Sequence, residues 1–238
     1  MLQYVCFVGV YFLTSIHCIS CLEPSVEVEV PISVKVGNSA TLGCNFKPKN
    51  KEDHLVHVRW FKENEEFYRF TPDLTPSKRT FIVPGVIVNV EESSDTNVVL
   101  ENLQKNLTGN YTCEVHWFVP IVVTAKDSKE MYVMDELKGE IILTTNDPSF
   151  DREKVFGICI SPASEVTPKY TWLLNGQQVS TEVSQPPTEN SKEPKLFISY
   201  LKGHRISFID DKANLTCAIE VNGVYKAQKT LIFKRKVF

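Results

Sequence analysis

The sequence predicts an all-β protein of two tandem β-sandwiches, the first of a variable type and the second of a constant or intermediate type. Apolar residues alternate with polar ones over many short segments, a period typical of strands with one buried face. Two widely spaced cysteine pairs, Cys44 with Cys113 and Cys159 with Cys217, each enclose a tryptophan. A disulfide between two sheets, covered by a tryptophan, is the arrangement of an immunoglobulin-like sandwich.

The first predicted domain covers residues 22–135. Trp60 follows Cys44 by sixteen positions, and Tyr111 stands two positions before Cys113. In that position, the tyrosine hydroxyl bonds back to the preceding turn and forms a tyrosine corner. The 69 positions between the cysteines leave room for the two additional strands of a variable-type domain.

The second predicted domain covers residues 139–236, after a boundary at 135–139. Trp172 follows Cys159 by thirteen positions, and Leu215 occupies the tyrosine-corner position, so this sandwich is shorter and less regular. Asn175-Gly176 predicts a two-residue hairpin turn. The segment 181–194 is rich in Pro, Ser, Thr and Glu and predicts a loop.

The amino-terminal segment predicts a secreted, extracellular protein. The first twenty residues contain no Asp, Glu, Lys or Arg, and residues 4–16 are almost wholly apolar, so residues 1–20 are interpreted as a signal peptide. No later stretch approaches 18 apolar residues, so no transmembrane segment is expected. Cys21 is left without a partner: it is a dimer-forming thiol, a capped thiol, or a residue removed by a slightly later cut.

Net charge and its distribution bear on the class of partner. The net charge of −3 argues against a nucleic-acid-binding protein. Charge is uneven, because residues 22–135 hold 12 Lys/Arg against 17 Asp/Glu, whereas residues 136–238 hold 14 against 12. An acidic first domain suits a partner with a basic patch.

No enzymatic or metal chemistry is predicted, and no cofactor. The sequence has no nucleophile motif and no Gly-rich phosphate loop. A metal site of His54, His57 and His116 is the enzyme-like alternative. Strand alternation predicts that His54 and His57 face opposite sides, which speaks against this site.

Three N-x-[ST] sequons predict glycosylation of a secreted chain, at Asn106, Asn110 and Asn214. Asn106 falls in the turn before the Tyr111 strand. The other two are predicted to lie on strands, pointing away from the core.

Three ordered motifs in the first domain resemble the beaten path family of arthropod neuronal surface proteins. Residues 59–62 read RWFK, residues 66–70 read EFYRF, and residues 81–86 read FIVPGV. The family runs W-Y-K, E-F-Y-R-Y and F-P-V-P-G-V at similar spacing. The resemblance covers the first domain well and the second only in architecture. Ile82 replaces the family's first proline, and residues 116–120 (HWFVP) stand where the family carries smaller, more polar residues.

The resemblance implies a secreted or membrane-anchored ligand in cell adhesion and axon guidance. It would bind Sidestep-family receptors, which are immunoglobulin-superfamily proteins, through its first domain. Strand phase predicts an exposed sheet face with the aromatic and arginine composition of interface hot spots. The predicted partner-binding residues are Arg59, Phe61, Phe67, Tyr68, Arg69, Glu114, His116 and Trp117. A bulge after Glu66 would exchange the roles of Phe67 and Tyr68.

Several alternatives stay open from the sequence. The aromatic residues could pack within the domain, and Arg59 could pair with Glu114 across two strands. A secreted immune or growth-factor-binding protein would have the same fold. A homophilic adhesion module would form weak dimers through the face that carries Arg59 and Phe61.

Overall fold

The computed structural model describes residues 25–48, 52–119, 121–146, 154–179, 182–184 and 194–235. The predicted signal peptide 1–20 and Cys21 lie outside these residues. The described part is an all-β structure of two sandwiches, which confirms the predicted fold class. No helix in the described ranges is long and apolar enough to cross a membrane.

The first sandwich contains a four-stranded and a six-stranded sheet. The strands are β1 (Ser25–Glu29), β2 (Ser33–Lys35), β3 (Ala40–Lys47), β4 (His54–Lys62), β5 (Glu65–Phe70), β6 (Lys78–Thr80), β7 (Val88–Asn89), β8 (Asn97–Leu100), β9 (Gly109–Val119) and β10 (Ile121–Met134). One sheet has the order β1-β3-β8-β7 and the other β2-β10-β9-β4-β5-β6. Strands β5 and β6 are the two additional strands for which the long spacing between the cysteines leaves room.

The first core forms where the predicted framework residues meet. Cys44 on β3 is bonded to Cys113 on β9, and Trp60 on β4 is fully buried in the same cluster. The Tyr111 hydroxyl donates a 2.7 Å hydrogen bond to the carbonyl of Leu107, four residues earlier. Leu107 lies in a short 3-10 helix (Lys105–Leu107) and is itself buried, so the tyrosine corner ties that turn to the core.

The second sandwich has two four-stranded sheets. The strands are β11 (Ile142–Thr145), β12 (Lys154–Ile160), β13 (Lys169–Leu174), β14 (Gln177–Val179), β15 (Glu182–Ser184), β16 (Ile198–Arg205), β17 (Lys212–Val221) and β18 (Tyr225–Lys234). Their orders are β11-β12-β16-β15 and β14-β13-β17-β18. The prediction of a loop over 181–194 is wrong at 182–184, because this segment pairs with β16 as an edge strand.

The second core has the same framework as the first, a disulfide with a buried tryptophan beside it. Cys159 on β12 is bonded to Cys217 on β17, and Trp172 lies beside them. The Trp172 indole N–H donates a 2.9 Å hydrogen bond to the Ser199 hydroxyl. Asn175 and Gly176 have φ angles of 47° and 81°, the left-handed conformation that the predicted two-residue hairpin requires.

The two sandwiches touch through a small apolar cluster. Met134, at the end of β10, packs with Val221 and Val224 of the β17–β18 hairpin. The Ser33 hydroxyl donates a 2.6 Å hydrogen bond to the Asn222 carbonyl of that hairpin. No regular strand lies between Met134 and Ile142; the domain boundary at 135–139 stays a prediction.

Candidate functional site

The outer face of the six-stranded sheet carries most of the predicted binding residues. On β4, Val58 and Trp60 are buried in the core, so Arg59 and Phe61 point outward. On β9, the same alternation places Glu114 and His116 on this face. We call this surface, with the outward residues of β5 and β10, the outer V face.

Charged side chains in the centre of the outer V face form one hydrogen-bonded network. Arg59 donates from Nε and Nη2 to Glu66 Oε2, at 3.0 and 2.5 Å, and from Nη1 to Glu114 Oε1 at 3.1 Å. Arg69 donates to both oxygens of Glu66, at 2.6 and 2.8 Å. Glu66 thus accepts from two guanidinium groups. Its side chain is 13% exposed and that of Glu114 19%, so both carboxylates are shielded by their partners.

Two aromatic rings flank the network. The Arg59 guanidinium lies 4.8 Å from the ring centre of Phe61, and that of Arg69 lies 5.3 Å from the ring centre of Phe81. Both distances permit cation–π attraction. Each arginine thus has both a carboxylate and a ring as partners within the face, so its conformation is restrained before any partner arrives.

A pair of histidines adjoins the network. The His57 and His116 rings are 4.2 Å apart, and His116 Nε2 is 2.7 Å from Glu114 Oε1. Thr124 on β10 contacts the other nitrogen of His116 at 3.2 Å. His57 Nε2 is buried without a hydrogen-bond partner among the described residues.

Burial and neighbouring charges shift the acidity of these groups. Burial lowers the pKa of His57 from 6.5 to about 4, and the charges of His116, Arg69 and Arg59 act in the same direction. Burial opposes ionisation of Glu66, but hydrogen bonds from Arg69 and Arg59 outweigh it and lower the pKa of this carboxyl group. The pattern is an ionised network beside a neutral histidine at neutral pH.

The predicted exposure of Phe67 and Tyr68 is wrong. Trp60 on β4 pairs with Tyr68 on β5, whereas the next residue, Phe61, pairs with Glu66. Phe67 is therefore an extra residue on β5, and the register shifts at this point. This bulge turns both aromatic side chains toward the core, where both are fully buried. Phe67 meets the ring of Tyr111 edge-on, and the Tyr68 hydroxyl donates to the Ser94 carbonyl at 3.0 Å.

The prediction of Trp117 on the exposed face is also wrong. Trp117 has the same parity on β9 as Tyr111, Cys113 and Val115, all of which are buried. Its side chain is only 2% exposed and packs edge-on against Phe46, with ring centres 6.1 Å apart. Strand parity alone would have placed it in the core.

Strand parity also failed for His54, which it placed on the side opposite to His57. The register of β4 against β9 shifts between Leu55 and His57, so that His54 faces Phe118 and His57 faces His116. A bulge at Val56 therefore places His54 and His57 on the same side, not on opposite sides as predicted. His54 instead contacts Asp73, at 2.9 Å. Within the described ranges, no group of three or more His, Cys, Asp or Glu side chains could hold a metal ion.

The sequons fall on exposed positions. Asn106 lies in the 3-10 helix, and Asn214 lies on β17 in the second sandwich. Asn110 points outward from β9, on the outer V face, six residues from His116. Six strand residues span about 20 Å. A glycan on Asn110 would occupy one end of the face and leave the histidine end open.

Sequence reasoning missed several residues of the outer V face. Glu66 belongs to it and Phe81 lies at its edge, although the sequence already placed both in the resembling motifs. Strand parity placed His57 outward beside Arg59, but His57 was not among the predicted binding residues. At the hairpin end of the face, Phe118 and Val122 stand opposite each other on β9 and β10 and are 53% and 58% exposed. Parity with Glu114 and His116 was the signal for Phe118.

The comparison with protein families agrees with the geometry of the first sandwich. Residues 27–130 match the immunoglobulin V-set domain. Such domains are recognition domains. A search among curated protein sequences found no significant match.

Solved structures of the immunoglobulin superfamily share a remote likeness with the chain. Murine CEACAM1b is 16% identical, with 89% of this chain and 100% of that chain covered and a TM-score of 0.42. A mouse coronavirus receptor-binding domain complexed with its murine receptor gives 14% identity, 90% and 100% coverage and a TM-score of 0.44. Murine CRIg gives 16% identity, 48% and 99% coverage and a TM-score of 0.38. Likenesses this remote say nothing about the partner of this chain.

Proposed function

We propose that the chain is a secreted recognition protein that binds an extracellular protein through the outer V face. The observation that carries this proposal is the hydrogen-bonded network of Arg59, Glu66, Arg69 and Glu114, flanked by the half-buried ring of Phe61 and the exposed ring of Phe81. Arginine and aromatic residues are enriched at interface hot spots. A surface that is already ordered loses little side-chain entropy on binding.

The proposed partner class is a Sidestep-like immunoglobulin-superfamily receptor, with a role in cell adhesion and axon guidance. This finer assignment comes from the three motifs at 59–62, 66–70 and 81–86. Their inward residues build the core, whereas Arg59, Phe61 and Phe81 lie on the outer V face or at its edge. The motifs therefore specify a surface as well as a framework, which supports transfer of the partner class along with the fold.

The contact is expected at the end of the outer V face away from Asn110. This sequon lies on the face itself, and a glycan there excludes a partner from its neighbourhood. The opposite end carries the exposed Phe118 and Val122 beside the histidine pair. In this proposal, the partner covers the charged network and the apolar hairpin end together.

Binding of the purified full chain to a panel of Sidestep-family ectodomains tests this function. Binding that is lost with Phe61→Asp and kept with Thr41→Asp, on the outer face of the other sheet, is the expected result. Failure of every receptor to bind would overturn the Sidestep-like assignment.

A further inference from the structure

Two pairs of cations lie at one end of the second sandwich, the end away from the β17–β18 hairpin that touches the first sandwich. In one sheet, Lys154 on β12 stands directly opposite Arg205 on β16. In the other sheet, Lys212 on β17 stands directly opposite Lys234 on β18. Residues in such positions have Cα atoms about 5 Å apart, and like charges there destabilise a sheet. The second sandwich therefore carries two unfavourable charge pairs at the same end.

None of these four side chains forms an ion pair within the described part of the chain, and all four are exposed. A like-charge pair in the first sandwich differs in this respect. Arg69 stands opposite Arg79, but it donates to the carboxylate of Glu66. The cations of the second sandwich have no such acid beside them, so an anion from outside would relieve their repulsion.

Arg235 adds a fifth cation at this end. It follows Lys234 directly, and its backbone N–H donates a 2.9 Å hydrogen bond to the carbonyl of Asp211. Its guanidinium lies 5.2 Å from the ring centre of Phe208, which packs against the second core. These contacts restrain the chain after β18 against the segment that leads into β17. We call the five side chains the basic belt: Lys154, Arg205, Lys212, Lys234 and Arg235.

The basic belt passes round one edge of the sandwich. Strands β11 and β18 are edge strands of their sheets and contact each other. A shallow groove at their ends is lined in part by Thr145, Asn146, Lys234 and Arg235. Asn146 also donates a 3.1 Å hydrogen bond from Nδ2 to the Lys154 carbonyl, so it links the two groups of cations. The belt thus continues from the outer face of one sheet to that of the other.

The acidic residues at this end do not balance the belt. In the described ranges they are Asp210 and Asp211, which form the tight turn before β17. Neither forms an ion pair with a belt residue. The segments 147–153 and 236–238, outside the described ranges, hold three acids and two cations in the sequence. With these included, seven cations stand against five acids.

We propose that the basic belt binds a linear sulfated polysaccharide of the cell surface or extracellular matrix. Clusters of Lys and Arg are typical of heparin-binding surfaces, because repeated sulfate groups then meet repeated cations. The proposal rests on the proposed secretion of the chain, since these polymers lie outside cells. In this proposal, the belt holds the protein at the cell surface while the outer V face contacts a receptor.

The arrangement of the belt favours a flexible polymer over a flat membrane. Lys154 and Lys212 precede the buried Val155 and Ala213 on their strands, so they point outward from opposite sheets. A linear polymer that wraps round the edge reaches both lysines, whereas a flat surface does not. A membrane at the end of the sandwich would also meet the two acids of the turn before β17.

Heparin is the probe, and the protein is the purified full chain with Asn214→Gln. This substitution removes a predicted glycan near Lys212, because both residues lie on the same face of β17. Surface plasmon resonance should show binding at about 0.15 M salt. Lys154→Gln combined with Lys234→Gln should raise the dissociation constant about tenfold or more, because the polyanion then releases about two fewer counterions on binding.

The matched control is Lys169→Gln combined with Lys226→Gln, which removes the same charge from the other end of the same sandwich. There, Glu220 lies between the two exposed lysines in one cross-strand row. Because salt screens charges beyond about 8 Å, this variant should bind heparin with unchanged affinity. Heparin stripped of its sulfate groups should not compete, since the proposed contacts are made to sulfate.

Several outcomes would overturn the proposal. They are absence of heparin binding, equal losses in the two double variants, competition by desulfated heparin, and binding to phosphatidylserine vesicles but not to heparin. Receptor binding through the outer V face is measured separately, without heparin, and should be the same in both double variants. A failed receptor test therefore leaves the heparin result standing, and the reverse also holds.

Discussion

Arg59 on β4 and Glu114 on β9 stand directly opposite each other, and Arg59 Nη1 donates a 3.1 Å hydrogen bond to Glu114 Oε1. The same guanidinium group also holds Glu66. Arg59 therefore joins three strands of the outer V face. This pairing and a role in binding are compatible, because a charge fixed by its neighbours is already placed for a partner.

Arg59→Ala is expected to destabilise the protein by about 1–3 kcal/mol, because two shielded carboxylates lose a charged donor. Urea denaturation followed by tryptophan fluorescence measures the change. The matched control is Lys35→Ala, which breaks an exposed ion pair with Glu136 and should cost much less, because solvent screens this pair. Equal effects of the two substitutions would show that the Arg59 network contributes nothing beyond a surface ion pair.

Tyr111→Phe is expected to cost about 1–3 kcal/mol of unfolding free energy, because it leaves the buried Leu107 carbonyl without its donor. The ring itself stays, so the loss reports the hydrogen bond of the tyrosine corner. Tyr132→Phe removes an exposed hydrogen bond to Glu130 and should change stability by less than about 0.5 kcal/mol. A Tyr111→Phe protein as stable as the Tyr132→Phe protein would argue against the corner.

Stability should fall as the pH is lowered from about 6.5 toward about 4, partly because of His57. Burial lowers the pKa of His57 in the folded protein to about 4, and the charges of His116, Arg69 and Arg59 add to that effect while Glu66 opposes it. As the pH falls, His57 therefore takes up a proton in the unfolded chain before it does so in the folded chain. The stability that the neutral His57 contributes above pH 6.5 is lost over this interval.

The His57→Phe variant isolates this effect, because phenylalanine keeps a ring beside His116 but does not titrate. The melting temperature of the wild type should fall more steeply between pH 6.5 and 4 than that of the variant. Loss of the ionised form of Glu66 affects both proteins, so it cancels in the comparison. Parallel pH profiles would contradict the assignment of a neutral, partly buried His57.

The sequence predicts the fold well because its signals are local. The period-two alternation, the spacing of the cysteines and the tyrosine two residues before Cys113 each depend on few neighbours along the chain. The bulges at Val56 and Phe67 depend on the pairing of strands far apart in sequence, and they reverse the direction of the side chains that follow. That is why Phe67, Tyr68 and His54 were misplaced.

Other features were visible in the sequence but were not used. Trp117 shares the parity of Cys113 and belongs in the core on that ground alone. On β12, Val155 and Cys159 alternate with Phe156 and Ile158, which is the pattern of a strand that is apolar on both sides. Parity does not show what such a surface packs against, because that depends on which strands lie beside β12.

The most direct test of the central claim is surface plasmon resonance of the full chain against Sidestep-family ectodomains, with the wild type, Phe61→Asp and Thr41→Asp compared. Phe61 lies in the outer V face, so Phe61→Asp should weaken binding about 30-fold or more, as expected for a hot-spot residue. Thr41, exposed on β3 of the opposite sheet, serves as the matched position and should leave the affinity unchanged. Undiminished binding of the Phe61→Asp protein would contradict the claim that the outer V face is the binding surface.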